Sequence, residues 1–228
     1  MTTKHELESK ADVVVVLSGG MDSTVCAALA VRKYGAARTA ALHISYGQRT
    51  EKREQRAYRE ICDRLGISTR LMVRTEFFRA IGGSALTDQS IAVPEAGPDI
   101  GAQIPVTYVP FRNSHLLSAA VSWSEVLGAE RIYIGAVQQD SSGYPDCRPE
   151  FYRAFNEAVR TGTAKGAIRI ETPVIALRKA EIVILGLEVL AGCHVAQVII
   201  VLIGAADHVA AADDHLVGQD RHVGGADR

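Results

Sequence analysis

The segment that decides the fold runs from Val13 to Thr24 and reads VVVVLSGGMDST. A run of β-branched residues followed by glycine is typical of a buried parallel strand that ends in a tight turn. We predict a strand over Asp12–Leu17, a turn over Ser18–Ser23, and a helix that begins at Ser23 or Thr24. The glycines let backbone N–H groups approach an anion, and the helix directs the positive end of its dipole to the same place. The segment therefore predicts a cradle for phosphate.

This cradle differs from two widespread nucleotide-binding loops. It has no Gly-Lys-Ser/Thr, so it is not a Walker A loop, and it has no GxGxxG, so it is not the dinucleotide fingerprint. Ser18, Ser23 and Thr24 add hydroxyl donors, and the carboxylate of Asp22 suits a Mg²⁺ ion held against phosphates. The alternative is an ordinary strand-to-helix turn in which Ser and Asp act only as N-caps. The density of glycines, hydroxyls and an acid in one short loop favours the phosphate site.

Strands and helices alternate on both sides of one irregular segment. Further strands are predicted over Thr39–Ser45, Thr69–Val73, Arg131–Ala136 and Ile168–Thr172. Helices are predicted over Thr24–Tyr34, Glu51–Leu65, Ser114–Leu127, Pro149–Thr161 and Leu177–Leu190. The segment Phe77–Thr107 is rich in Gly, Pro and Asp, which is typical of a functional or disordered loop. The alternation predicts an α/β fold with a doubly wound parallel sheet.

The composition is that of an ordinary globular protein. Hydrophobic residues make up 47% of the 228 residues and charged residues 22%, with a formal net charge of -1. Such a balance gives no reason to expect direct nucleic-acid binding or a membrane partner. The first ten residues lack the apolar run of a signal peptide. Four scattered cysteines without a CxxC pair indicate a cytoplasmic protein with reduced thiols.

The loop Ser18–Ser23 resembles the SGGxDS loop of the N-type ATP pyrophosphatases, and three further stretches narrow the resemblance. Tyr46–Arg49, followed by Glu51 and Glu54, is similar to the YGQR segment of the 7-cyano-7-deazaguanine synthase family. Val109–Asn113 resembles that family's VPxRN, and Gly135–Phe151 resembles its G…D.SGYPDCRPEF segment. The match extends from about Asp12 to Leu187. It implies a Rossmann-like, adenine nucleotide α-hydrolase-like fold.

The resemblance implies an AMP-forming ligase of queuosine precursor biosynthesis. In this family 7-carboxy-7-deazaguanine, ammonia and ATP give 7-cyano-7-deazaguanine through an acyl-adenylate and an amide. ATP and Mg²⁺ are the expected cofactors, the partners are these small molecules, and the expected oligomer is a homodimer. Other members of the superfamily amidate or thiolate other substrates, which is the main alternative. An inactive nucleotide-binding remnant is a second alternative, because the end of the chain departs from the family.

Site residues follow from the loop and from the matching segments. The expected nucleotide-binding residues are Leu17, Ser18, Gly19, Gly20, Met21, Asp22, Ser23, Thr24, Val25, Cys26 and Ala27. The expected catalytic residues are Ser18, Asp22, Ser23 and Arg112. The expected substrate-binding residues are Tyr144, Asp146, Arg148 and Glu150. Phe111 and Phe151 are further candidates to stack on a flat base, and the arginines suit a carboxylate or a phosphate.

Several of these residues have structural alternatives. Tyr144 and Phe151 are equally typical of core aromatics, and Asn113 and Ser114 are typical of helix caps. Cys147 is expected to be a buried structural thiol, since acyl-adenylate chemistry needs no thiol nucleophile. The charged residues after Gln48 are expected to form a solvated helix face, with Gln48 and Arg49 as possible exceptions.

The chain changes character near its end, so we divide it into a catalytic domain, 1–187, and a divergent or out-of-frame tail, 188–228. From Val183 onward there is no Lys, Pro, Ser, Thr, Asn, Met or aromatic residue. The family's Zn²⁺ site needs a cysteine followed by CxxCxxC, and this region contains only Cys193. His208, His215 and His222 are spaced by seven and do not replace those ligands convincingly. No metal site is therefore predicted in the tail.

Overall fold

A computed structural model describes residues 10–93, 104–137 and 144–190 of the chain. Five strands form its sheet: β1 (Val13–Val16), β2 (Thr39–Ser45), β3 (Thr69–Arg74), β4 (Arg131–Ile134) and β5 (Arg169–Glu171). Six α-helices accompany them: α1 (Met21–Tyr34), α2 (Glu51–Leu65), α3 (Phe77–Ile81), α4 (Arg112–Leu127), α5 (Pro149–Gly162) and α6 (Lys179–Leu190). Short 3₁₀ turns occupy Ala36–Arg38 and Pro145–Cys147.

The sheet is parallel throughout, with strand order β3-β2-β1-β4-β5. The chain moves outward from β1 to β3 and then returns to the other side of β1. The topological switch point therefore lies between β1 and β4, where ligands of open α/β sheets bind beyond the carboxyl ends of the strands. Val16 pairs with both Leu42 and Ile134, so β1 and β4 end at the same level, whereas β2 continues to Ser45 beside β3.

β1 is buried on both faces, as its continuous valine run predicts. Val13 and Val15 pack with α1, α2 and α6, whereas Val14 and Val16 pack with α4 and α5. Burial of an apolar side chain of this size contributes about 1.5–3 kcal/mol. The two layers of helices confirm the doubly wound parallel sheet.

The predicted elements all occur, but several boundaries differ. Helix α1 begins at Met21, not at Ser23 or Thr24, because the Gly20 carbonyl already accepts the amide of Thr24 at 3.0 Å. Strand β4 ends at Ile134, because Gly135 leaves the sheet to pack against the first turn of α1.

Further differences affect the ends of β1, β3 and β5 and the other helices. Helix α4 begins at Arg112 and α6 at Lys179. The irregular segment contains the short helix α3, and its residues 94–103 lie outside the described residues. The proposed boundary at residue 187 falls within α6, and residues 191–228 also lie outside the described residues.

Candidate active site

The loop after β1 follows a path that only glycine allows at one position. Gly19 has φ +89° and is buried, and a Cβ there would lie 2.8 Å from the Cβ of Ala57 on α2. Both the positive φ and the close approach exclude a larger residue. The loop is therefore pressed between the end of β1 and helix α2, with Ser18 and Gly20 exposed on its outer side.

Hydroxyl groups fix the first turn of α1. The Gly20 carbonyl accepts hydrogen bonds from the Oγ1 of Thr24 at 2.8 Å and from the Oγ of Ser23 at 3.0 Å. Ser18 Oγ lies 3.1 Å from Ser23 Oγ and accepts the amide of Gly20 at 3.3 Å. The N-cap residue is Gly20 and has no side chain, so Ser and Asp are not the N-caps. The first amides of α1 therefore face outward for an anion.

Asp22 presents two carboxylate oxygens in different environments. Its Oδ2 accepts the ammonium of Lys179 at 2.7 Å, while its Oδ1 is buried and has no hydrogen-bond partner among the described residues. A buried oxygen without a partner is costly unless a ligand completes it. Asp22 therefore has the chemistry of a cation ligand. Burial, and secondly the negative charge of Asp22, raise the pKa of the Cys26 thiol, so that thiol is neutral.

A cavity of about 220 Å³ opens beyond the carboxyl ends of β1, β2 and β4. Its walls are mostly apolar, and its polar atoms come from loop and helix termini. The lining residues are Val16, Leu17, Ser18, Ser23, His43, Ile44, Tyr46, Glu54, Arg112, Asn113, Leu116, Ile134 and Gly135. The structure thus places three of the four predicted catalytic residues, Ser18, Ser23 and Arg112, around one cavity at the switch point.

Arg112 carries positive charge into this cavity from the first turn of α4. Its Nη1 donates to the hydroxyl of Tyr46 at 3.1 Å, and its guanidinium carbon lies 5.6 Å from the centre of that ring. Burial opposes its charge, but Tyr46 and then Asp146 favour the charged form, and its pKa lies above the ordinary arginine value. Arg112 is therefore a fixed cation, suited to a carboxylate or a phosphate.

A buried polar network holds α4 against the predicted substrate segment. The amide of Asn113 donates to Asp146 Oδ2 at 2.9 Å, and its side-chain Nδ2 donates to the Asp146 carbonyl at 3.0 Å and to Cys147 Sγ at 3.4 Å. Asn113 and Ser114 are thus not caps, because they lie inside α4 and Asp146 caps its first turn from another segment. Cys147 is buried, as expected for a structural thiol.

All four predicted substrate residues, Asp146 included, lie outside the cavity lining. The hydroxyl of Tyr144 lies 2.8 Å from Thr107 Oγ1, and its ring lies 5.8 Å from that of Tyr108. Arg148 is the exposed N-cap residue of α5, and Glu150 forms an exposed ion pair with Arg153 at 3.1 Å. Residues 138–143 of the same segment lie outside the described residues.

Gln48 supports the site from outside the cavity lining, through Tyr46 and Glu54, which both line the cavity. It is buried, accepts the amide of Tyr46 at 2.8 Å and donates to Glu54 at 2.8 Å. Arg49 donates to the carbonyls of Ala85 and Ile91, each at 2.8 Å, and so fixes the loop after α3. Both exceptions to the solvated face therefore have structural partners.

Two residues near the site, His43 and Lys179, are not predicted from the sequence. His43 is buried at the end of β2, and its Nδ1 lies 3.0 Å from the Leu17 carbonyl, which can only accept. Its Nδ1 must therefore carry the proton, and Nε2 is then free to accept the hydroxyl of Ser45 at 3.3 Å. The ends of adjacent parallel strands meet at one edge, a rule that points to His43. No local pattern points to Lys179.

The known proteins that are similar to this chain in sequence belong to one family. The family described as Queuosine biosynthesis protein QueC matches residues 12–198. A 7-cyano-7-deazaguanine synthase from Koribacter versatilis is 73% identical over 175 residues, covering 77% of this chain and 74% of the relative. The chain belongs to the QueC family. Another relative with the same name, from Acidobacterium capsulatum, is 60% identical over 191 residues, covering 82% of this chain and 80% of its own length.

Among solved structures, the U34-tRNA thiolase NcsA from Methanococcus maripaludis is similar to this QueC family member over 83% of the chain. The similarity covers 61% of the thiolase, with 16% sequence identity and a TM-score of 0.47.

The residues of this QueC family member fit the two family-implied metals differently. Mg²⁺ prefers oxygen ligands and often takes only one or two from protein when phosphates supply others, which suits the unpaired Oδ1 of Asp22. Zinc needs a converging set of ligands, and within the described residues no group of three His, Cys, Asp or Glu side chains converges.

No helix in the described part of the chain is long and apolar enough to cross a membrane.

Proposed function

We propose that the chain converts 7-carboxy-7-deazaguanine, ammonia and ATP into 7-cyano-7-deazaguanine, AMP and pyrophosphate. One observation carries this proposal: the glycine-hydroxyl loop and the cation Arg112 face the same cavity at the switch point of the sheet. A phosphate cradle opposite a fixed cation suits a reaction between a nucleotide and a carboxylate. The relatives named 7-cyano-7-deazaguanine synthase support the choice of product.

Activation of the acid is the first step. A carboxylate oxygen attacks the α-phosphorus of ATP, the bond to the β-phosphate oxygen breaks, and pyrophosphate leaves. The loop Ser18–Ser23 holds the phosphates through its hydroxyls and helix amides. Arg112 neutralises the carboxylate charge that would otherwise repel the nucleotide. The apolar walls, Val16, Ile44 and Ile134 among them, keep water from the acyl-adenylate.

Two nitrogen steps follow. Ammonia attacks the acyl carbon, AMP departs, and loss of a proton leaves the primary amide. A second ATP then adenylates the amide oxygen and releases pyrophosphate. Departure of AMP with the remaining N–H protons gives the nitrile. Each step replaces a poor oxygen leaving group by AMP, which is why the site needs a pyrophosphate cradle rather than a phosphate-transfer lysine.

Asp22 and Lys179 control charge beside the cradle. The free Oδ1 of Asp22 would hold Mg²⁺, which would neutralise phosphate charge and help orient the nucleotide. Lys179 reaches the other oxygen of Asp22 from the start of α6 and has an ammonium close enough to the loop to meet the departing pyrophosphate. This pair ties the first turn of α6 to the phosphate loop.

Substrate contacts are assigned to the segment before and within the start of α5. Tyr144, Arg148 and Glu150 retain exposed or half-exposed side chains that are free to meet the heterocycle. Asp146 contributes by holding this segment against Asn113 next to Arg112. We further propose a homodimer that acts in the cytoplasm on small molecules, which suits the three buried cysteines of the described residues, none of which forms a disulfide there.

Nucleotide analysis of a complete reaction mixture tests the function. Turnover should yield AMP and pyrophosphate together with a nitrile product identified by its mass, and omission of ammonia should stop nitrile formation. ADP as the main product would contradict the proposal, because the loop lacks a P-loop lysine. ATP binding without turnover would favour an inactive remnant. Turnover of a different acid or of a thiolation substrate would favour another AMP-forming enzyme.

A further inference from the structure

Four aromatic side chains form a partly exposed ridge beside the cavity: Phe77, Phe111, His115 and Phe151. His115 lies 4.8 Å from Phe77 and 6.4 Å from Phe111, measured between ring centres. Phe111 lies 6.2 Å from Phe151. The exposed fractions of Phe111 and Phe77 are 56% and 47%, which is unusual for phenylalanine and marks a surface that can bind a ligand.

Phe111 has a backbone conformation that phenylalanine rarely adopts. Its φ of 56° and ψ of 26° lie in the left-handed region, and no other non-glycine residue of the described chain has a positive φ. Side chains with a Cβ are disfavoured there. The turn is fixed on both sides, because the Phe111 amide donates to the Tyr108 hydroxyl at 2.9 Å and the Arg112 amide donates to the Val109 carbonyl at 3.2 Å. The fold therefore holds the ring outward, although the left-handed backbone and the exposure of the ring to water are both unfavourable.

More than half of the surface of Phe111 is exposed, so its ring is accessible to a further partner. Its contacts with His115 and Phe151 are nearly perpendicular, at interplanar angles of 89° and 77°. None of the ring contacts of Phe111 in the described residues is a parallel stack. Offset parallel stacking is the arrangement that flat heterocycles favour, and it needs such an open face.

The ridge lies directly next to the nucleotide cavity. Arg112, Asn113 and Leu116 of α4 line the cavity. Phe111 is the N-cap residue that precedes α4. The ring of His115, in the first turn of that helix, lies 5.1 Å from Phe78, which lies 5.7 Å from Tyr46 of the cavity lining. A flat ring stacked on Phe111 would thus have Arg112, the next residue in the chain, available for a carboxylate at its edge.

We infer that the ridge is the subsite for a planar heterocyclic carboxylic acid, with Phe111 as the stacking platform and Arg112 as the partner of the carboxylate. This inference rests on the proposed function for the identity of the acid. It adds a specificity-determining residue: Phe111 selects flat aromatic acids, and its strained backbone sets the ring in place before the acid binds. The rival use of the same surface is contact with a second copy of the chain.

Calorimetric titration of the full chain with 7-carboxy-7-deazaguanine, and separately with ATP, tests the subsite. Phe111→Gly removes the ring while relieving the left-handed strain, so the variant should fold at least as well as the natural chain. Its Kd for the acid should rise about tenfold or more, the order expected for loss of one stacked base. Its Kd for ATP should stay within about twofold. Phe111→Tyr should restore binding of the acid, and Val126→Ala, which removes another exposed side chain from α4, should change neither Kd.

Four results would overturn the inference. These are an unchanged Kd for the acid in Phe111→Gly, an equal loss of ATP and acid binding, a change in sedimentation without a change in Kd, and no binding of the acid to the natural chain. Pyrophosphate release by the natural chain separates the subsite from the proposed function. If the natural chain releases pyrophosphate but Phe111→Gly has an unchanged Kd for the acid, only the subsite is rejected. If binding of the acid depends on Phe111 but no pyrophosphate is released, only the proposed function is rejected.

Discussion

At Gly135 the main chain directly after β4 meets the first turn of α1 with no space for a side chain. A Cβ there would lie 2.6 Å from the Ser23 nitrogen and 2.7 Å from the Asp22 carbonyl carbon, both of which are backbone atoms. Gly135→Ala should therefore displace the phosphate loop. We expect a loss of about 1–3 kcal/mol in the free energy of unfolding, as for overpacking, together with weaker ATP binding. Urea denaturation and ATP titration measure the two effects.

Gly162→Ala is the matched control. A Cβ at Gly162 meets nothing within 4 Å, and the residue ends helix α5. This change should be neutral or stabilise the protein by roughly 0.5–1 kcal/mol, because alanine restricts the unfolded chain more than glycine does. Equal effects of the two substitutions would show that Gly135 has no special contact with the loop.

Asp22 is the residue on which the charge balance of the loop depends. Asp22→Ala should reduce pyrophosphate release roughly 100-fold or more, since it removes a carboxylate that faces the charges of the reaction. Its stability should change little, because the pair with the half-exposed Lys179 is worth little in solvent. Asp12→Asn, at the opposite end of the sheet where Asp12 pairs with Arg38, is the control. Near-normal release by Asp22→Ala would remove Asp22 from the site.

Contiguous residues were predictable, whereas contacts between distant segments were not. The glycines and hydroxyls of Ser18–Ser23 lie within one short stretch, so the loop that we propose as the phosphate site can be recognised from adjacent residues. Lys179 reaches Asp22 across 157 residues, and its contact exists only because α6 packs against α1. The role of Asp146 as a cap for α4 has the same origin, since no rule of local spacing relates it to Asn113.

At the scale of elements, Asp146 determines how α4 begins. Asp146→Ala leaves the buried amide of Asn113 without its acceptor, so we expect a loss of about 1–3 kcal/mol of stability and an accompanying rise in KM as Arg112 moves. Asp146→Asn keeps an acceptor oxygen, so its stability and its KM should both be close to those of the natural chain. Thermal or urea unfolding and steady-state kinetics provide the measurements.

A charged contact with substrate would behave differently. In that case Asp146→Asn would fail to restore KM, and neither variant would alter stability. Glu150→Ala supplies the comparison, because Glu150 is exposed and pairs only on the surface of α5. Its stability should be nearly unchanged, so any rise in its KM would report a direct substrate contact.

Element types could be predicted because their patterns are strong, and element ends could not. The valine run of β1 and the buried positions of α2, Tyr58, Ile61, Cys62 and Leu65, follow the expected periods of strand and helix. The start of α1 depends instead on which carbonyl accepts a hydrogen bond from the Thr24 amide. That acceptor is the Gly20 carbonyl, a detail that composition does not reveal.

At the scale of the whole molecule, buried thiols link stability to pH. Burial raises the pKa of Cys62 to about 11, and it raises that of Cys26 further. In the unfolded chain a thiol has a pKa of about 8.5, so above that pH the unfolded state releases protons that the folded state keeps. The contribution of these thiols to the free energy of unfolding should be constant below about pH 8 and fall by up to about 1 kcal/mol per unit per thiol between roughly pH 9 and 10.

Urea denaturation at pH 7, 8 and 10 checks this dependence, with a Cys62→Ala variant as the control. The variant should start less stable, because it leaves a cavity, and should lose less stability between pH 8 and 10 than the natural chain does. A free energy of unfolding that is the same at pH 8 and 10 would contradict the assigned pKa shifts.

We predict that residues after about Leu187 are an out-of-frame translation that impairs the chain. The composition changes abruptly from Val183 to Ala, Val, Gly, Asp, His, Arg and a few apolar types, and the cysteines needed for zinc are missing together. Helix α6, which leads into this region, has Ile182, Val189 and Leu190 buried in the core beside α1 and carries Lys179. A zinc clamp after it would stabilise this packing, because metal-binding free energy there is folding free energy. The chain should bind no stoichiometric zinc and be less soluble and less active than a version with the frame restored. Metal analysis and side-by-side assays of both proteins decide the point: one tightly bound zinc per chain, or equal activity, would show an authentic divergent tail.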